Sequence, residues 1–433
     1  MSTERELVVA AGDTLSAAGY PLVLKEFEMP RLGKRERLDI LAFDADSRGE
    51  LRPAAAIEVK RAHPTDASSV LDQLALWRGR LGTREHYLVA EDGWYRADPG
   101  LRTFLKVDGP LPAERAGGEL RDPEIAHSLI TQWLWRAADR RRSETPGPFI
   151  AALHDVLLSA PNGFAAVGDQ SLPISSDVFW YVARDAVRQA VGRDRYMSEH
   201  LTPPSLAMPL AHLFGDPLPR SVCDPFAGIG SLLWAVADRA VDQGVEVQLS
   251  GVEINSQVEE LANAIAVRAP VPITIRQSDA LRTQSAPVAG VISQPPIGLH
   301  LGEQFELSNG ESTRDGDLAV IDSCLNRIVP GGRAVLHLGR GWTHRGGQAA
   351  RYRSYLSEVW RIGALIGLPA GAIVGTSIPS VIAVIDRAEP SPTFVAQLEA
   401  NWADDLGPDG QALRDCLQHL GPADASGSSG AHW

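Results

Sequence analysis

Residues 221–237 (SVCDPFAGIGSLLWAVA) join a carboxylate to a glycine-rich turn, and this spacing is suited to ligand binding. An apolar strand pattern ends at Asp224, and Gly228 and Gly230 precede a helical pattern. Because glycine has no side chain, a ligand can approach the loop backbone at the N-terminus of the helix. A G-x-G turn alone is weak evidence. Its place between a strand and a helix predicts a site for a nucleotide-like cofactor.

Two further carboxylates follow the next strand patterns of this region. Glu253 ends LSGVE, where it could accept hydrogen bonds from ribose hydroxyls, and Asp279 follows ITIRQS, where it could hold an adenine amino group. Ligands of open α/β sheets bind at the carboxyl ends of the strands, so three such carboxylates would share one rim. The alternative is that these residues are only helix caps and turn residues.

A second group of polar residues lies near the N-terminus. Asp39 belongs to the strand pattern RLDILAF, and Glu58 and Lys60 belong to AAAIEVKR. Side chains alternate along a strand, so the i, i+2 spacing places Glu58 and Lys60 on one face. Two carboxylates can hold a hard divalent ion such as Mg²⁺, and the lysine can stabilise or orient an attacking water. The alternative is that Glu58 and Lys60 form the exposed face of an edge strand.

The elements that must position these residues divide the chain into three stretches and a tail. Residues 1–105 mix helix and strand patterns and begin with a Thr3–Glu6 capping box. Residues 106–195 are largely helical and are predicted to form a connector domain. Residues 196–390 alternate strands with amphipathic helices, which predicts an α/β fold with a parallel, doubly wound, Rossmann-like sheet. Residues 391–433 are predicted to be an acidic, partly flexible tail.

The composition limits the classes of protein. The chain has 433 residues, with 54 acidic and 41 basic residues that give a formal net charge of −13, and 44% hydrophobic residues. These values are those of a globular protein and exclude collagen-like or disordered chains. No apolar run is long enough to span a membrane, and three widely spaced cysteines fit a reducing compartment. We therefore expect a soluble, cytoplasmic protein without a membrane partner.

Residues 196–388 resemble the DNA adenine-N6 methyltransferases, most closely the modification subunits of type I restriction systems. The resemblance rests on SEHLTPPSLA, DPFAGIGSLL, GVEIN, SDAL, VISQPPIG and the long late run IGALIGLPAGAIVGTSIPSVIAVID. It implies S-adenosylmethionine as cofactor. The residues that it implies for cofactor binding are Glu199, Thr202, Asp224, Phe226, Gly228, Gly230, Glu253 and Asp279.

The segment VISQPPIG takes the place of the family's catalytic Asn-Pro-Pro-aromatic motif. An adenine amino nitrogen is a poor nucleophile, and a side-chain oxygen together with a proline-constrained carbonyl can accept its hydrogens. The candidate catalytic residues are Gln294, Pro295, Pro296 and Ile297. Glutamine moves the amide oxygen outward by one methylene, and isoleucine cannot stack on a flipped base. Two interpretations stay open, an altered but working methyltransferase and a fold that binds cofactor and DNA without methylating.

Residues 1–105 resemble the PD-(D/E)xK nucleases, a family that includes many restriction endonucleases. Asp39, Glu58 and Lys60 match the core of that motif, and Gln73 matches a frequent glutamine on the following helix. A glutamate of the first helix, Glu4 or Glu6, would also match. The resemblance implies a catalytic site of Asp39, Glu58, Lys60 and Gln73, with Mg²⁺ held by Asp39 and Glu58.

A nuclease-like stretch joined to a methyltransferase stretch predicts a restriction-modification or related defence protein that acts on double-stranded DNA. Neither stretch contains a recognisable target-recognition domain, so we expect a specificity or restriction subunit as partner. The main prediction is site-specific adenine-N6 methylation with a fused metal-dependent nuclease-like domain. The alternatives are a lapsed methyltransferase whose nuclease is the active part, and a protein amide N-methyltransferase.

Overall fold

The computed structural model describes residues 3–31, 34–62, 67–115, 117–144, 151, 154, 164–167, 170–193, 197–283, 286–372 and 377–421. The chain forms two compact units, of residues 1–146 with 155–186 and of residues 147–154 with 187–433. This division differs from the predicted boundaries at residues 105, 195 and 390. The largely helical stretch 106–195 is not a separate domain, because most of it belongs to the first unit.

The first unit contains mixed helices and strands. In chain order they are α1 (Glu4–Ala17), β1 (Leu22–Arg31), β2 (Lys34–Ala45), β3 (Leu51–Val59), α2 (Ser68–Leu81), β4 (Glu85–Ala90), β5 (Gly93–Ala97), β6 (Phe104–Val107), α3 (Pro123–Glu144), β7 (Phe164–Val167), β8 (Gln170–Pro173) and the first part of α4 (Ser176–Arg193). The predicted capping box is present, since Thr3 N donates to Glu6 Oε2 and Glu6 N donates to Thr3 Oγ1. The β7–β8 hairpin was missed in the sequence.

Six strands of the first unit form one sheet in the order β1-β2-β3-β4-β5-β6. Neighbouring strands are antiparallel except β3 and β4, which are parallel and are joined through α2. In the β2–β3 pair, Ile40 lies opposite Ile57, so the register places Asp39 opposite Glu58 one step further along. Two predicted site residues therefore occupy adjacent strands at the same level.

Helix α1 covers one face of this sheet. Its buried Val8, Ala11 and Leu15 pack in one apolar cluster with Ile57 and Val59 of β3. Because side chains alternate along a strand, this packing leaves Glu58 and Lys60 on the other face. Packing of the apolar residues of β3 thus fixes the direction in which its polar residues point.

The second unit continues from the end of α4 with alternating helices and strands. In chain order they are a short 3₁₀ helix (Ser198–His200), α5 (Pro204–His212), β9 (Ser221–Asp224), α6 (Ser231–Gln243), β10 (Gln248–Glu253), α7 (Ser256–Ala266), β11 (Ile273–Gln277), β12 (Val288–Ser293), β13 (His300–Glu306), β14 (Ser312–Asp315), α8 (Gly316–Leu325), β15 (Ile328–Gly339), α9 (Gly341–His344), α10 (Gln348–Val359), β16 (Arg361–Leu368), β17 (Ser380–Asp386), β18 (Phe394–Gln397), α11 (Trp402–Asp405) and α12 (Gln411–Leu420). Strands β13 and β14 form a separate hairpin directly after the QPPI segment.

The main sheet of the second unit has eight strands in the order β11-β10-β9-β12-β15-β17-β16-β18. The first five strands in this order, β11, β10, β9, β12 and β15, are parallel to one another, as predicted. Strand β17, however, is antiparallel to both of its neighbours, so the sheet is mixed and the prediction of a wholly parallel sheet was wrong. The residues of β17 are all buried, and such an apolar run carries no signal of strand direction.

The strand order reverses direction between β9 and β12. From β9 the chain adds β10 and β11 on one side, whereas β12 and β15 lie on the other. In open α/β sheets this switch point opens a crevice at the carboxyl ends of the strands, where ligands bind. Asp224 at the end of β9 and Gln294 just after β12 lie at this position.

Part of the predicted acidic, partly flexible tail is folded. Strand β18 pairs in parallel with β16, and α12 buries Leu413, Cys416 and Leu420. Their i, i+3, i+7 spacing forms an apolar stripe that burial against the sheet requires. Residues 394–397 and 411–420 of the predicted acidic, partly flexible tail are thus folded, while the final ASGSSGAHW, for which flexibility was predicted, lies outside the described residues.

Two observations bear on the environment of the chain. Cys223, Cys324 and Cys416 are buried and form no disulfide. Among the helices that the structure describes, none is long and apolar enough to cross a bilayer.

Candidate functional site

The glycine-rich loop lies between β9 and α6 at the switch point of the sheet. Gly228 and Gly230 have φ values of 53° and 91°, which L side chains rarely adopt. A Cβ at Gly228 would lie 2.4 Å from the carbonyl oxygen of His200, and Ile229 N donates to that same oxygen over 3.1 Å. The loop therefore folds against the segment before α5, and at Gly228 only glycine fits.

Asp224 and Glu253 end neighbouring strands and hold the backbone of the loop. Asp224 Oδ1 accepts from Phe226 N at 3.0 Å, and Glu253 Oε2 accepts from Gly228 N at 2.9 Å. The exposed fractions of Asp224 and Glu253 are only 1% and 6%. The two carboxylates thus hold turns, as the interpretation as turn residues expects. They are also buried acceptors at the rim of the sheet, where the interpretation as a cofactor site places the ligand.

Asp279 completes the predicted row of carboxylates. Its Oδ1 accepts from Leu281 N at 2.9 Å, and its Oδ2 lies 3.4 Å from Nε of Arg282. Ser278 N donates to the carbonyl of Glu253 at 2.9 Å, so the turn that carries Asp279 is fixed to the end of β10. The three carboxylates therefore share one rim of the sheet.

Burial changes the acidity of Asp224. Desolvation, with a smaller contribution from the charge of Glu253, raises the pKa of Asp224 to about 7, although hydrogen bonds from Ser293 and from Phe226 N oppose the shift. Ser293 Oγ donates to Asp224 Oδ1 over 2.6 Å. Since Ser293 immediately precedes Gln294, this bond connects the glycine-rich loop to the candidate catalytic segment.

The QPPI segment leaves β12 at the same rim. Gln294 is half-buried, Pro295 is buried, and Pro296 is exposed. Thr202 Oγ1 donates to Gln294 Oε1 over 2.9 Å. Thr202, predicted for the cofactor, and Gln294, predicted for catalysis, are therefore in direct contact.

Ile297 occupies the position of the missing aromatic side chain. A Cβ at Gly339 would lie 2.8 Å from Ile297 Cγ2, so the glycine at the end of β15 makes room for this side chain. Ile297 lines a small crevice with Pro295, Pro296 and Trp342. Its surroundings are apolar, but it presents no aromatic face to a base.

The two remaining predicted cofactor residues are Glu199 and Phe226, one beside the loop and one within it. Glu199 is exposed on the 3₁₀ helix, next to His200, whose carbonyl accepts from the loop. Phe226 is partly buried and packs against the apolar cluster of the second unit. Phe226 thus belongs to the loop itself, and Glu199 lies on the segment that the loop contacts, so both positions are compatible with the predicted roles.

The first unit brings together Asp39, Glu58 and Lys60. Lys60 Nζ lies 3.1 Å from Glu58 Oε2 and 3.7 Å from Asp39 Oδ2, and Val59 N donates to Asp39 Oδ2 over 2.8 Å. Glu58 is 2% exposed, so the exposed edge-strand interpretation is wrong for this residue. Burial, with the nearby charge of Asp39, raises the pKa of Glu58 to about 7. Glu58 Oε1 is buried without a hydrogen-bond partner.

The remaining nuclease candidates are Gln73 on α2 and the two glutamates of α1, Glu4 and Glu6. Gln73 Nε2 donates to the carbonyl of Arg37 over 3.2 Å, so it lies above β2 two residues before Asp39. Glu6 is used in the capping box, whereas the charge of Glu4 acts on Lys60. Among the described residues, no group of three or more histidine, cysteine, aspartate or glutamate side chains is placed to hold a metal. The cluster therefore offers two carboxylates and one lysine.

The family model of the N-6 DNA methylases matches residues 176–402, more than half of the 433 residues. The chain belongs to the N-6 DNA methylase family. This match confirms the methylase resemblance of the second unit, and it leaves the nuclease resemblance of the first unit a prediction. No curated protein matches the chain.

Several solved structures are similar to this N-6 DNA methylase. A Listeria monocytogenes protein assigned to the class I S-adenosylmethionine-dependent methyltransferases is 18% identical with a TM-score of 0.56, covering 68% of this chain and 99% of its own. A modification subunit assigned to a type I restriction enzyme of Vibrio vulnificus is 19% identical with a TM-score of 0.46, covering 56% and 58%. The type I restriction-modification methyltransferase subunit of Streptococcus thermophilus is 22% identical with a TM-score of 0.41, covering 49% and 49%. The chain thus spans about half the length of the last two.

Sequence analysis missed two residues of the methylase site. Ser293 links Asp224 to the QPPI segment, and Arg327, 5% exposed, donates to the carbonyls of Ala280 and Thr283 directly after Asp279. Ser293 lies beside the motif and could have been suspected there. Arg327 carries no such signal, because its contacts depend on segments that are distant in sequence.

Proposed function

We propose that this chain transfers the methyl group of S-adenosylmethionine to the N6 amino group of adenine in double-stranded DNA, within a restriction-modification or related defence system. The observation that carries the proposal is the meeting of Asp224, Ser293 and Gln294 at the switch point of the sheet in a member of the N-6 DNA methylase family. We place this reaction in the cytoplasm. We also propose a specificity or restriction subunit as partner, because the chain belongs to the N-6 DNA methylase family and its second unit resembles the modification subunits of type I restriction systems.

The residues of the rim fit this cofactor. S-Adenosylmethionine carries positive charge and ribose hydroxyls, for which the buried carboxylates of Asp224 and Glu253 are suitable partners. Gly228 lets the loop backbone pack against the carbonyl of His200, where a Cβ could not fit, and this contact fixes the loop at the rim. Asp279 would hold the adenine amino group, and Glu199, Thr202, Phe226 and Gly230 would complete the binding site. When bound, the cofactor supplies an electrophilic methyl group.

The QPPI segment would act on the target amino group. Gln294 Oε1 and the carbonyl of Pro295 would accept its hydrogens as the nitrogen becomes nucleophilic, and Pro295 and Pro296 would keep the acceptors fixed. Ile297 can make apolar contact with a flipped base but gives up stacking, which is worth about 1–3 kcal/mol per base. We therefore expect slow methyl transfer with weak retention of the flipped adenine.

Labelled methyl transfer from S-adenosylmethionine to mixed-sequence duplex DNA tests this function. We expect incorporation at adenine N6, identified by nucleoside analysis, and a lower rate than asparagine and an aromatic residue would give. Calorimetric titration of the cofactor in the same buffer shows whether the site is loaded. Cofactor binding without incorporation, also with a specificity subunit supplied, would contradict the proposal and support the lapsed-methyltransferase alternative.

Competition separates DNA from protein substrates. If adenine is the target, excess unlabelled duplex DNA should reduce labelling of DNA and a glutamine-containing peptide should not. Methyl transfer to the peptide that DNA does not inhibit would favour the protein amide N-methyltransferase alternative. The N-6 DNA methylase match favours DNA.

We expect the affinity for S-adenosylmethionine to rise with pH. The pKa of Asp224 is raised to about 7, so the carboxyl is protonated below that pH and must ionise to attract the cationic cofactor. Binding should then release a proton, and the affinity should rise about tenfold between pH 6 and pH 8. Because the folded chain holds this proton more tightly than the unfolded chain, the free energy of unfolding without cofactor should fall as pH rises from about 4 through 7. Calorimetry in buffers of different ionisation enthalpy measures the released proton; pH-independent affinity would count against this role of Asp224.

For the first unit we propose metal-dependent cleavage of DNA at Asp39, Glu58 and Lys60. Glu58 Oε1 is buried without a hydrogen-bond partner and the charge of Asp39 acts on this carboxyl, so the two carboxylates form a donor set that fits Mg²⁺. Asp39 and Glu58 would hold the ion, which supplies activation of water when bound. Lys60 would stabilise developing negative charge, and Gln73 would contact the substrate beside β2. The catalytic set is the one that the sequence predicted.

A further inference from the structure

Two segments of the second unit have the same local design, a hydrogen-bonding residue followed by two prolines. They are Thr202–Pro204, before α5, and Gln294–Pro296, after β12. A proline fixes its own φ and restricts the residue before it, so both backbones are stiff. The hydrogen bond of 2.9 Å from Thr202 Oγ1 to Gln294 Oε1 joins the leading residues of the two segments.

Both segments are also fixed to the glycine-rich loop. Ser293 donates to Asp224 at one end of the loop, and Ile229 N donates to the carbonyl of His200, two residues before Thr202. Thr202 is only 8% exposed. The Thr202–Gln294 bond therefore closes a ring of contacts through the loop, and the position of the Gln294 amide depends on all three segments.

Glutamine needs such a contact more than asparagine does. Its longer side chain has an additional rotatable bond, so an unattached amide oxygen would sample more positions at higher entropic cost. A misplacement of about 1 Å can cost on the order of 100-fold in rate. The hydroxyl of Thr202 removes this freedom by binding the oxygen that would accept the amino hydrogen of the target.

We propose that Thr202 is a positioning residue that holds Gln294 Oε1 for catalysis, and that it contacts the cofactor only as an acceptor. A hydroxyl has one hydrogen, and Thr202 gives it to Gln294, so only its lone pairs remain for a donor such as the amino group of the cofactor. Gln294 Oε1 retains a second lone pair for the target. This inference rests on the proposed methyl transfer.

The test compares Thr202→Val, Thr202→Ser, Gln294→Met and the double variant T202V/Q294M in the full chain. Valine has the shape of threonine without the hydroxyl, and serine retains the hydroxyl. We expect T202V to lower kcat for methyl transfer about tenfold or more and T202S to restore it to within about threefold. A structural role of the methyl group alone would instead make T202S the weaker variant.

The double-mutant cycle is also measured on the unfolding equilibrium constant, which does not depend on turnover. A Thr202–Gln294 bond predicts that T202V and Q294M are non-additive by roughly two- to tenfold, the net effect of one neutral hydrogen bond. Additive effects, or failure of T202S to restore kcat, would overturn the proposal. Absence of methyl transfer by the unchanged chain would instead overturn the proposed function, while the cycle would still report on the bond.

Discussion

Replacing Asp224 with asparagine is expected to weaken S-adenosylmethionine binding on the order of 100-fold at pH 8. Asparagine retains an acceptor for Phe226 N and for Ser293 Oγ, so the turn and the contact to β12 are preserved. What it removes is the charge, and a hydrogen bond to a charged group contributes about 1.5–3 kcal/mol. The side chain is 1% exposed, so solvent screens this interaction little.

The pH dependence separates this effect from damage to the loop. Below pH 7 the carboxyl of the unchanged chain is mostly protonated, so the gap between D224N and the unchanged chain should narrow from about 100-fold at pH 8 to about tenfold at pH 6. The two affinities should diverge as pH rises, because only the aspartate gains a charge. Calorimetric titrations at pH 6 and pH 8 measure the difference. An equal loss of affinity at both values would point to a distorted loop instead.

Asp242→Asn is a matched control for D224N. Asp242 is exposed near the end of α6, the helix that begins at the glycine-rich loop, so one aspartate charge is removed from the same β9–α6 unit but away from the rim. We expect its cofactor affinity to stay within about twofold of the unchanged chain, since screened surface charges interact weakly over such distances. A loss similar to that of D224N would show that net charge, and not the carboxylate of Asp224, determines affinity.

The sequence predicted the local elements of both units well, because their signals are local. Thr3 and Glu6 mark the start of α1, and the glycine-rich turn marks the junction of β9 and α6. Strand direction is not a local property. The run VIAVID of β17 is buried in either orientation, so only pairing with β15 and β16 reveals that it is antiparallel.

The site was predicted as a set of residues but not as a network. Asp224, Glu253 and Asp279 could be placed on one rim because the carboxyl ends of parallel strands coincide. The bond between Thr202 and Gln294 joins residues 92 positions apart, and no spacing rule predicts it. In α12, by contrast, the stripe of Leu413, Cys416 and Leu420 is a local signal, and the acidic residues around it drew attention away from a helix there.

Glu58→Ala and Lys60→Ala are each expected to abolish Mg²⁺-dependent nicking of supercoiled DNA by the full chain. The Glu58→Ala variant would lack a metal ligand. The Lys60→Ala variant would lack the positive charge that lies 3.1 Å from Glu58 Oε2 and 3.7 Å from Asp39 Oδ2. A fall of at least 100-fold is expected for either variant, because metal activation and charge stabilisation each contribute several kcal/mol. Nicking that persists unchanged in both variants would refute the nuclease assignment.

The opposite end of β3 supplies a matched control. Glu50 and Arg52 have the same i, i+2 spacing of carboxylate and cation, and Arg52 Nη2 lies 2.7 Å from Glu50 Oε2. Their side chains are 17% and 50% exposed, unlike Glu58. Glu50→Ala and Arg52→Ala should leave nicking within about twofold, because a partly exposed ion pair contributes little to stability and this pair lies at the other end of β3 from Glu58.

Stability measurements distinguish a functional carboxylate from a structural one. The pKa of Glu58 is raised to about 7, so the buried side chain opposes folding increasingly as pH rises from about 4.5 through 7. Glu58→Gln removes this ionisation, and its Tm without metal should exceed that of the unchanged chain by a margin that grows between pH 5 and pH 8. Mg²⁺ should raise the Tm of the unchanged chain at pH 8 and not that of E58Q. Ion binding explains a carboxylate that destabilises the metal-free fold and is nevertheless required for nicking. A lower Tm for E58Q than for the unchanged chain at pH 8 would instead show that the contact of Glu58 with Lys60 is structural.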